Sequence, residues 1–196
     1  MMDFWSSATA RPDLIVPALI AVLGLWLTAH SIRSQTQNSR VEKIADVLIA
    51  CSDRFHAIDS VRDEIEAKLR RGELSQEEAC ERYFFEYWHF QWDQWNYFKL
   101  GLIPHEMYAD WFYQRLVIVR LGSLTCGITF LEGWQKVRRH FETYEDFSVF
   151  VDNALALAGA EDAVARRKLA QFVDRAFRQA RPMRRGFARR STGGWA

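Results

Sequence analysis

The clearest feature of the hydrophobic pattern is an uncharged stretch of sixteen residues near the N-terminus, from Leu14 to Ala29. Asp13 precedes this stretch, and His30 and Arg33 follow it. As a helix it would be about 24 Å long at about 1.5 Å per residue. The residues after it, with Arg33 reaching toward the headgroups, would extend it toward the ~30 Å of a bilayer core. The pattern predicts a transmembrane helix over residues 14–32.

Two other interpretations of this stretch stay open. A secretory signal peptide has an apolar core of similar length, followed by a cleavage site of small residues. Residues 28–31 resemble such a site. The leader of a signal peptide is positively charged, however. The segment before this stretch instead has two acidic residues, Asp3 and Asp13, and one basic residue, Arg11. The third interpretation is a buried helix of a soluble domain, and the polar segment 31–40 makes that one less attractive.

Basic residues close to the predicted span indicate its orientation. Arg11 precedes the span, whereas Arg33, Arg40 and Lys43 follow it. Because Lys and Arg collect on the cytoplasmic side of a membrane, the bias places the large C-terminal part in the cytoplasm. The predicted organisation is a short extracytoplasmic N-terminus (1–13), the transmembrane helix (14–32), a helical soluble domain (33–180) and a basic mobile tail (181–196).

Downstream of the span, apolar residues recur every three or four positions, as they do in helices, and strand-like alternation is absent from the sequence. Residues 35–71 carry an apolar stripe that fits either a coiled-coil stalk or the long spine of a bundle. Fewer than four clean heptads favour the bundle. Further helices are predicted over residues 76–100, 104–121, 128–140, 143–159 and 161–179. The fold class is therefore all-α, with a cytoplasmic bundle of five to six helices.

Aromatic residues are concentrated in the middle of the chain. Fourteen of the thirty-one residues from Tyr83 to Tyr113 are aromatic, which is half of all those in the protein. On the helix Gln76–Leu100 they occupy adjoining faces, so we expect a central helix that is covered on several sides. The alternative is an exposed docking patch, because Trp and Tyr suit half-wet interfaces. The candidate partner-binding residues are Trp88, Trp92, Trp95 and Trp111.

Two acid–histidine pairs, Asp53 with His56 and Glu86 with His89, have the spacing that helical di-metal carboxylate sites use. The bridging carboxylates that such sites need from two further helices are not evident in the apolar stripes. Glu86, His89 and Asp93 instead form one polar stripe, as the solvent side of a helix does. The four residues of the two pairs are candidate metal ligands only, and we predict neither a metal nor another cofactor.

Three cysteines, Cys51, Cys80 and Cys126, lie far apart in helical patterns. They are expected to be small buried hydrophobic residues and not a disulfide framework. Nucleotide-binding and hydrolase motifs are absent from the sequence. The sequence therefore offers no catalytic residues.

The C-terminal part is strongly basic, with nine arginines and one lysine from Arg166 to Arg190 against the single acid Asp174. Such a segment suits anionic headgroups, at about 1 kcal/mol per basic residue near the surface. The alternative is a solvated helix end followed by a mobile tail. The net charge of +1 and a membrane tether both disfavour nucleic acid as a partner. The candidate residues for an anionic surface are Arg181, Arg184, Arg185, Arg189 and Arg190.

Three parts of the chain resemble a group of known proteins. They are the predicted span, the polar helix after it, and the segment that runs from Tyr83-Phe84-Phe85 through Asn96–Ile103 to Trp111. In these residues the chain resembles a loose group of uncharacterised small bacterial single-pass membrane proteins with a helical cytoplasmic domain. That group has no established activity. The resemblance therefore implies the architecture and a location in a bacterial inner membrane, and it adds nothing about chemistry.

These observations together predict a non-enzymatic, membrane-anchored helical protein that acts as an accessory subunit or scaffold of a membrane protein complex. Its expected partners are the bilayer and either another membrane protein or a second copy of the chain. Two alternatives stay open. One is a peripheral sensor of anionic lipid surfaces that works through the Arg-rich C-terminus. The other is a metal-dependent, di-iron-like helical-bundle enzyme, which would need metal at His56 or His89.

Overall fold

The computed structural model describes residues 12–180, with side chains from residue 25 onward. Helices dominate this range, which confirms the predicted all-α class. The described elements are α1 (Pro12–Arg70), α2 (Gln76–Leu100), α3 (His105–Arg120), β1 (Leu124–Thr125), β2 (Ile128–Thr129), α4 (Phe130–Val137), a 3₁₀ turn (Arg138–Phe141), α5 (Glu145–Leu155), a second 3₁₀ turn (Ala156–Gly159) and α6 (Asp162–Gln179).

The predicted helix boundaries agree with the structure at α2 and differ most around α4 and α5. The helix predicted over 128–140 begins later, because Ile128 and Thr129 pair with β1 in a short antiparallel ladder. The helix predicted over 143–159 begins only after Tyr144, which makes no side-chain capping hydrogen bond. Both of these helices end in 3₁₀ turns, which short helices commonly use to finish.

The chain divides after Lys43 into two compact units. In the first unit, the described side chains of α1 include the exposed residues Leu25, Trp26 and Leu27. Across the part of the chain that the structure describes, we find no helix with enough length and apolar character to cross a bilayer. The predicted span over 14–32 lies mostly outside the residues whose side chains are described, so it stays a prediction.

The core of the second unit is built mainly from aromatic side chains. Trp88 of α2 and Trp134 of α4 are 1% and 2% exposed, and their ring centroids lie 4.7 Å apart. Phe98 of α2 stacks on Tyr108 of α3 with 4.6 Å between centroids. Such ring pairs contribute more than the burial of their area alone. The wide apolar face of α2 is therefore covered by several helices, as the simpler interpretation of its sequence predicts.

Local signals in the sequence explain where these helices begin and end. Ser75 and Glu78 form a reciprocal capping box at the start of α2, in which each side chain bonds the backbone N–H of the other residue. Gly101 ends α2 in the left-handed conformation, with φ 76°, which glycine adopts at little cost. Thr129 and Glu132 form a second capping box at α4.

Arg120 ties the end of α3 to the start of α6. Its guanidinium donates hydrogen bonds to the backbone oxygens of Ala158, at 2.9 Å, and Ala160, at 3.0 Å. It also donates to the carboxylate of Asp162 at 2.7 Å. Three bonds from one planar group use the fixed fork geometry of arginine. This contact closes the turn between α5 and α6.

Candidate functional site

The four tryptophans that the sequence offers as partner-binding residues divide between the core and the surface. Trp88 and Trp95 are 1% and 2% exposed, so the exposed patch expected around them is wrong for these two indoles. The reason is that α3, α4 and α5 cover both adjoining faces of α2. Trp92 and Trp111 are half-buried. Trp92 lies against Tyr144 with 4.3 Å between ring centroids, and Trp111 lines a groove.

This groove has a volume of about 680 Å³ and is lined by α1, α2, α3 and the segment around the β1–β2 hairpin. Its walls are largely apolar and include Phe55, Ile58, Phe90, Ile118 and Leu124. We call it the α1–α3 groove. Ligand sites in proteins commonly have volumes of about 300–1,000 Å³, apolar walls and a few placed polar groups. The α1–α3 groove has the first two of these features.

A polar pair, Arg115 and Gln94, supplies the third feature. Nη2 of Arg115 donates to Oε1 of Gln94 at 2.8 Å, and Nη1 donates to the backbone oxygen of Trp111. Both acceptors are neutral. Nε of Arg115 is buried without a hydrogen-bond partner, and no carboxylate among the described residues forms an ion pair with this arginine. The groove therefore contains a positive charge that no described group neutralises.

Two other titratable groups that line the groove, Cys51 and Tyr87, have raised pKa values and are neutral at pH 7. Burial raises the pKa of the Cys51 thiol, and a hydrogen bond with Gln94 offsets part of that rise. Burial also raises the pKa of the Tyr87 phenol, against the opposing charge of Arg115. Asp59 and Arg62, at one end of the groove, pair with each other at 3.0 Å. The charge of the groove is therefore that of Arg115.

Beside the groove lies an exposed apolar surface that we call the hairpin rim, formed by Leu121, Leu124 and Leu131. These leucines are 74%, 66% and 39% exposed. They belong to the stretch 121–131, in which none of the eleven residues carries a charge. Exposed apolar patches on folded proteins commonly mark interaction sites. Leu124 also lines the groove, so the two surfaces adjoin.

A tight turn holds the hairpin rim in place. Leu124 pairs with Thr129 and Thr125 with Ile128, which leaves Cys126 and Gly127 as the loop. Both loop residues have positive φ, 52° and 82°, as a type I′ hairpin turn requires. The Sγ of Cys80 donates to the backbone oxygen of Cys126 at 3.2 Å, which fixes the turn to α2. The sequence predicts only a break here, since cysteine is an unusual residue for this turn.

The candidate metal ligands are not brought together. Asp53 and His56 are exposed on α1, and Glu86 is exposed on α2. His89 is half-buried and packs against aromatic rings, including Trp92 at 5.3 Å between centroids. Over residues with described side chains, no cluster of three or more His, Cys, Asp or Glu could hold a metal ion. The structure therefore does not assemble these four residues into one group of ligands.

A second cavity, of about 640 Å³, lies between α2, α5 and α6. Its charged lining includes Lys99 and Asp146, which pair at 2.5 Å. Arg175, an exposed residue of α6, also lines this cavity. The basic residues Arg181, Arg184, Arg185, Arg189 and Arg190, predicted to bind an anionic surface, lie outside the described residues.

Comparisons of this chain with protein-family models, with curated proteins and with solved structures found no match. The resemblance to small bacterial single-pass membrane proteins therefore stays a prediction.

Sequence reasoning missed Arg115, Gln94 and the hairpin rim. Two signals were nevertheless present. Arg115 is the single charged residue between Asp110 and Arg120, and it lies one helical turn after Trp111 on the same face. The uncharged stretch 121–131 is a second such signal, because an eleven-residue gap in charge at a predicted turn is unusual for a surface segment. Gln94 gives no comparable signal, since its role depends on the approach of α3.

Proposed function

We propose that this protein is a non-catalytic, membrane-anchored helical protein that acts as an accessory subunit or scaffold of a membrane protein complex. The predicted span over 14–32 would anchor it in a bacterial inner membrane, with the helical domain in the cytoplasm. The single observation that supports a role in binding is the hairpin rim. Three of the six exposed large apolar side chains described in the second unit, Leu121, Leu124 and Leu131, lie within this one stretch of eleven residues.

The chemistry of the hairpin rim favours one kind of partner. Residues 121–131 offer no charge for an ion pair, so a charged partner surface would lose its hydration without compensation. The complementary surface is the uncharged, apolar face of a helix in another membrane protein. Burying the exposed leucine side chains would stabilise the complex by about 25 cal/mol per Å² of apolar area removed from water. The partner is therefore expected to cover Leu121 and Leu124 together.

Site-specific photocrosslinking in native membranes tests this proposal. A benzophenone amino acid replaces Leu121, which is 74% exposed. The matched control carries the same amino acid at Gln171, an exposed position on α6. We expect irradiation to link the Leu121 variant to one membrane protein in high yield and the Gln171 variant to none. Mass spectrometry of the product would then identify the partner.

Three other outcomes would contradict the proposed partner. A product that contains only a second copy of the chain would make the hairpin rim a self-association surface. Adducts with lipid alone would make it a contact with the bilayer. Equal product patterns at Leu121 and Gln171 would show that the rim has no special role.

A further inference from the structure

We propose that the α1–α3 groove binds a fatty acid, with its acyl chain along the apolar walls and its carboxylate on the guanidinium of Arg115. This inference goes beyond the proposed function, because the ligand lies inside the groove and not on the hairpin rim. It holds whether or not a protein covers the rim.

Charge complementarity identifies the head group. Among the charged residues that line the groove, Asp59 and Arg62 pair with each other, whereas the contacts described for Arg115 are with uncharged groups. Its guanidinium donates to the oxygens of Gln94 and Trp111, hydrogen-bonds the Tyr87 phenol and lies 5.9 Å from the centroid of the Phe112 ring. A guanidinium in a largely apolar groove is stabilised by an anion, and a planar carboxylate can accept two parallel N–H bonds from it. A neutral or cationic head group would leave the charge of Arg115 uncompensated.

Gln94 is placed to assist this recognition. Its Oε1 accepts from Nη2 of Arg115 at 2.8 Å, and this contact fixes the plane of the guanidinium. The side chain of Gln94 is 4% exposed, so the positions that it can adopt are few. A guanidinium held in one orientation loses less conformational entropy when a carboxylate binds. The pair is therefore prepared for a planar anion before the ligand arrives.

The size and lining of the groove identify the rest of the ligand. The lining residues of α1 extend from Leu48 to Arg62, which corresponds to about 21 Å at about 1.5 Å per residue. This length suits an extended acyl chain, and the 680 Å³ of the groove exceed what one chain needs. Phe55, Phe90 and Ile118 supply apolar walls. Each methylene removed from water adds to the affinity.

A binding experiment on the full chain tests the proposal. The protein is transferred from detergent into peptidiscs without added lipid, so that detergent and bilayer do not compete for the ligand. Dodecanoate and dodecanol serve as probes, since they share a chain and differ in the charge of the head group. We expect dodecanoate to bind the wild type at least tenfold more tightly than dodecanol does, because charge-assisted hydrogen bonds have about that effect.

Three variants assign the effect to its parts. Arg115→Met should weaken dodecanoate binding by at least about tenfold and change dodecanol binding less than about threefold. Arg167→Met is the matched control, because Arg167 is exposed on α6 and lies outside the groove; it should leave both affinities unchanged. Ile118→Trp fills the groove and should weaken both probes. Circular dichroism and a thermal midpoint check the fold of each variant.

Each contrary result overturns the inference. If dodecanol binds as tightly as dodecanoate, the head group is not recognised. If Arg115→Met leaves dodecanoate binding unchanged, Arg115 is not the anion site. If folded wild type binds no dodecanoate, the groove is not a fatty-acid site. Should Arg115→Met fail to fold, Arg115→Gln and Ile118→Trp give the same discrimination.

Discussion

The side chain of Phe84 occupies the space that a β-carbon on Gly133 would need. An ideal Cβ at this glycine would lie 2.5 Å from both Cε1 and Cγ of Phe84. Phe84 is completely buried, so its ring has little room to move. We expect Gly133→Ala to lower the free energy of unfolding by about 1–3 kcal/mol through overpacking, although alanine favours helices. Urea unfolding of the full chain in mild detergent measures the change.

Gly159→Ala is the matched control for this prediction. Nothing lies within 4 Å of the Cβ that would be added there. We expect the variant to keep its stability or gain about 0.4–1 kcal/mol, because alanine restricts the unfolded chain more than glycine does. If both variants lose the same stability, the contact between α4 and Phe84 is not the cause.

Trp88 and Trp134 provide a second matched pair, because their indole N–H groups differ in hydrogen bonding. Nε1 of Trp134 donates to Asp152 at 2.7 Å, whereas Nε1 of Trp88 is buried without a partner. Both substitutions with phenylalanine remove a similar volume. We expect Trp134→Phe to lower the free energy of unfolding by about 1.5–3 kcal/mol more than Trp88→Phe does, since only Trp134→Phe removes a hydrogen bond to a charged acceptor. Equal losses in urea unfolding would refute this assignment.

The buried cysteines should react slowly in the folded protein. Burial raises the pKa of Cys126 to about 11 from an ordinary value of 9.0, which leaves about a hundredfold less thiolate than an exposed cysteine has. Cys51 and Cys80 are also buried, with pKa values raised by burial. We expect a thiol reagent to label these residues only after unfolding. A Ser52→Cys variant, exposed beside Cys51, should be labelled at once; equally fast labelling of the wild type would contradict the prediction.

Acid should weaken the contact between α4 and α5. Burial raises the pKa of Asp152, but hydrogen bonds from Arg138 and Trp134 outweigh burial and hold this pKa below its usual value. A carboxylate whose pKa is lower in the folded state stabilises the fold above its unfolded pKa of about 3.9, and this contribution is lost as the pH falls through the folded value. The stability gap between wild type and Asp152→Asn should therefore close below about pH 4. A gap that stays constant from pH 7 to pH 3 would show that ionisation of Asp152 has no part in it.

Helix content and most helix boundaries could be predicted from the sequence, because they depend on local chemistry. The capping box at Ser75 and the glycine at Gly101 bound α2 at the predicted range, 76–100. The burial of Trp88 and Trp95 was harder to foresee, since the pattern of α2 shows how wide its apolar face is and not how many helices cover it. The type I′ turn at Cys126–Gly127 escaped prediction because its residues do not have the usual composition of such turns.

The candidate site was less predictable than the fold for a physical reason. The α1–α3 groove joins residues from Leu48 to Phe130, and their proximity depends on how the helices pack. The sequence does not show that Arg115 has no carboxylate partner among the described residues, because this depends on which side chains the folded chain places around it. A lone arginine in an apolar helix is a common pattern, and snorkelling to solvent would explain it equally well.

The uncharged stretch 121–131 would also link the turnover of the protein in the cell to the proposed partner. If a partner covers the hairpin rim, then a newly made copy without that partner keeps Leu121 and Leu124 in contact with water. Chaperones and proteases of the quality-control system recognise such exposed apolar segments, and the fraction of a protein that they capture depends on how long the segment stays exposed. The abundance of this chain would then follow that of its partner, because assembly hides the segment that marks an unassembled copy for degradation.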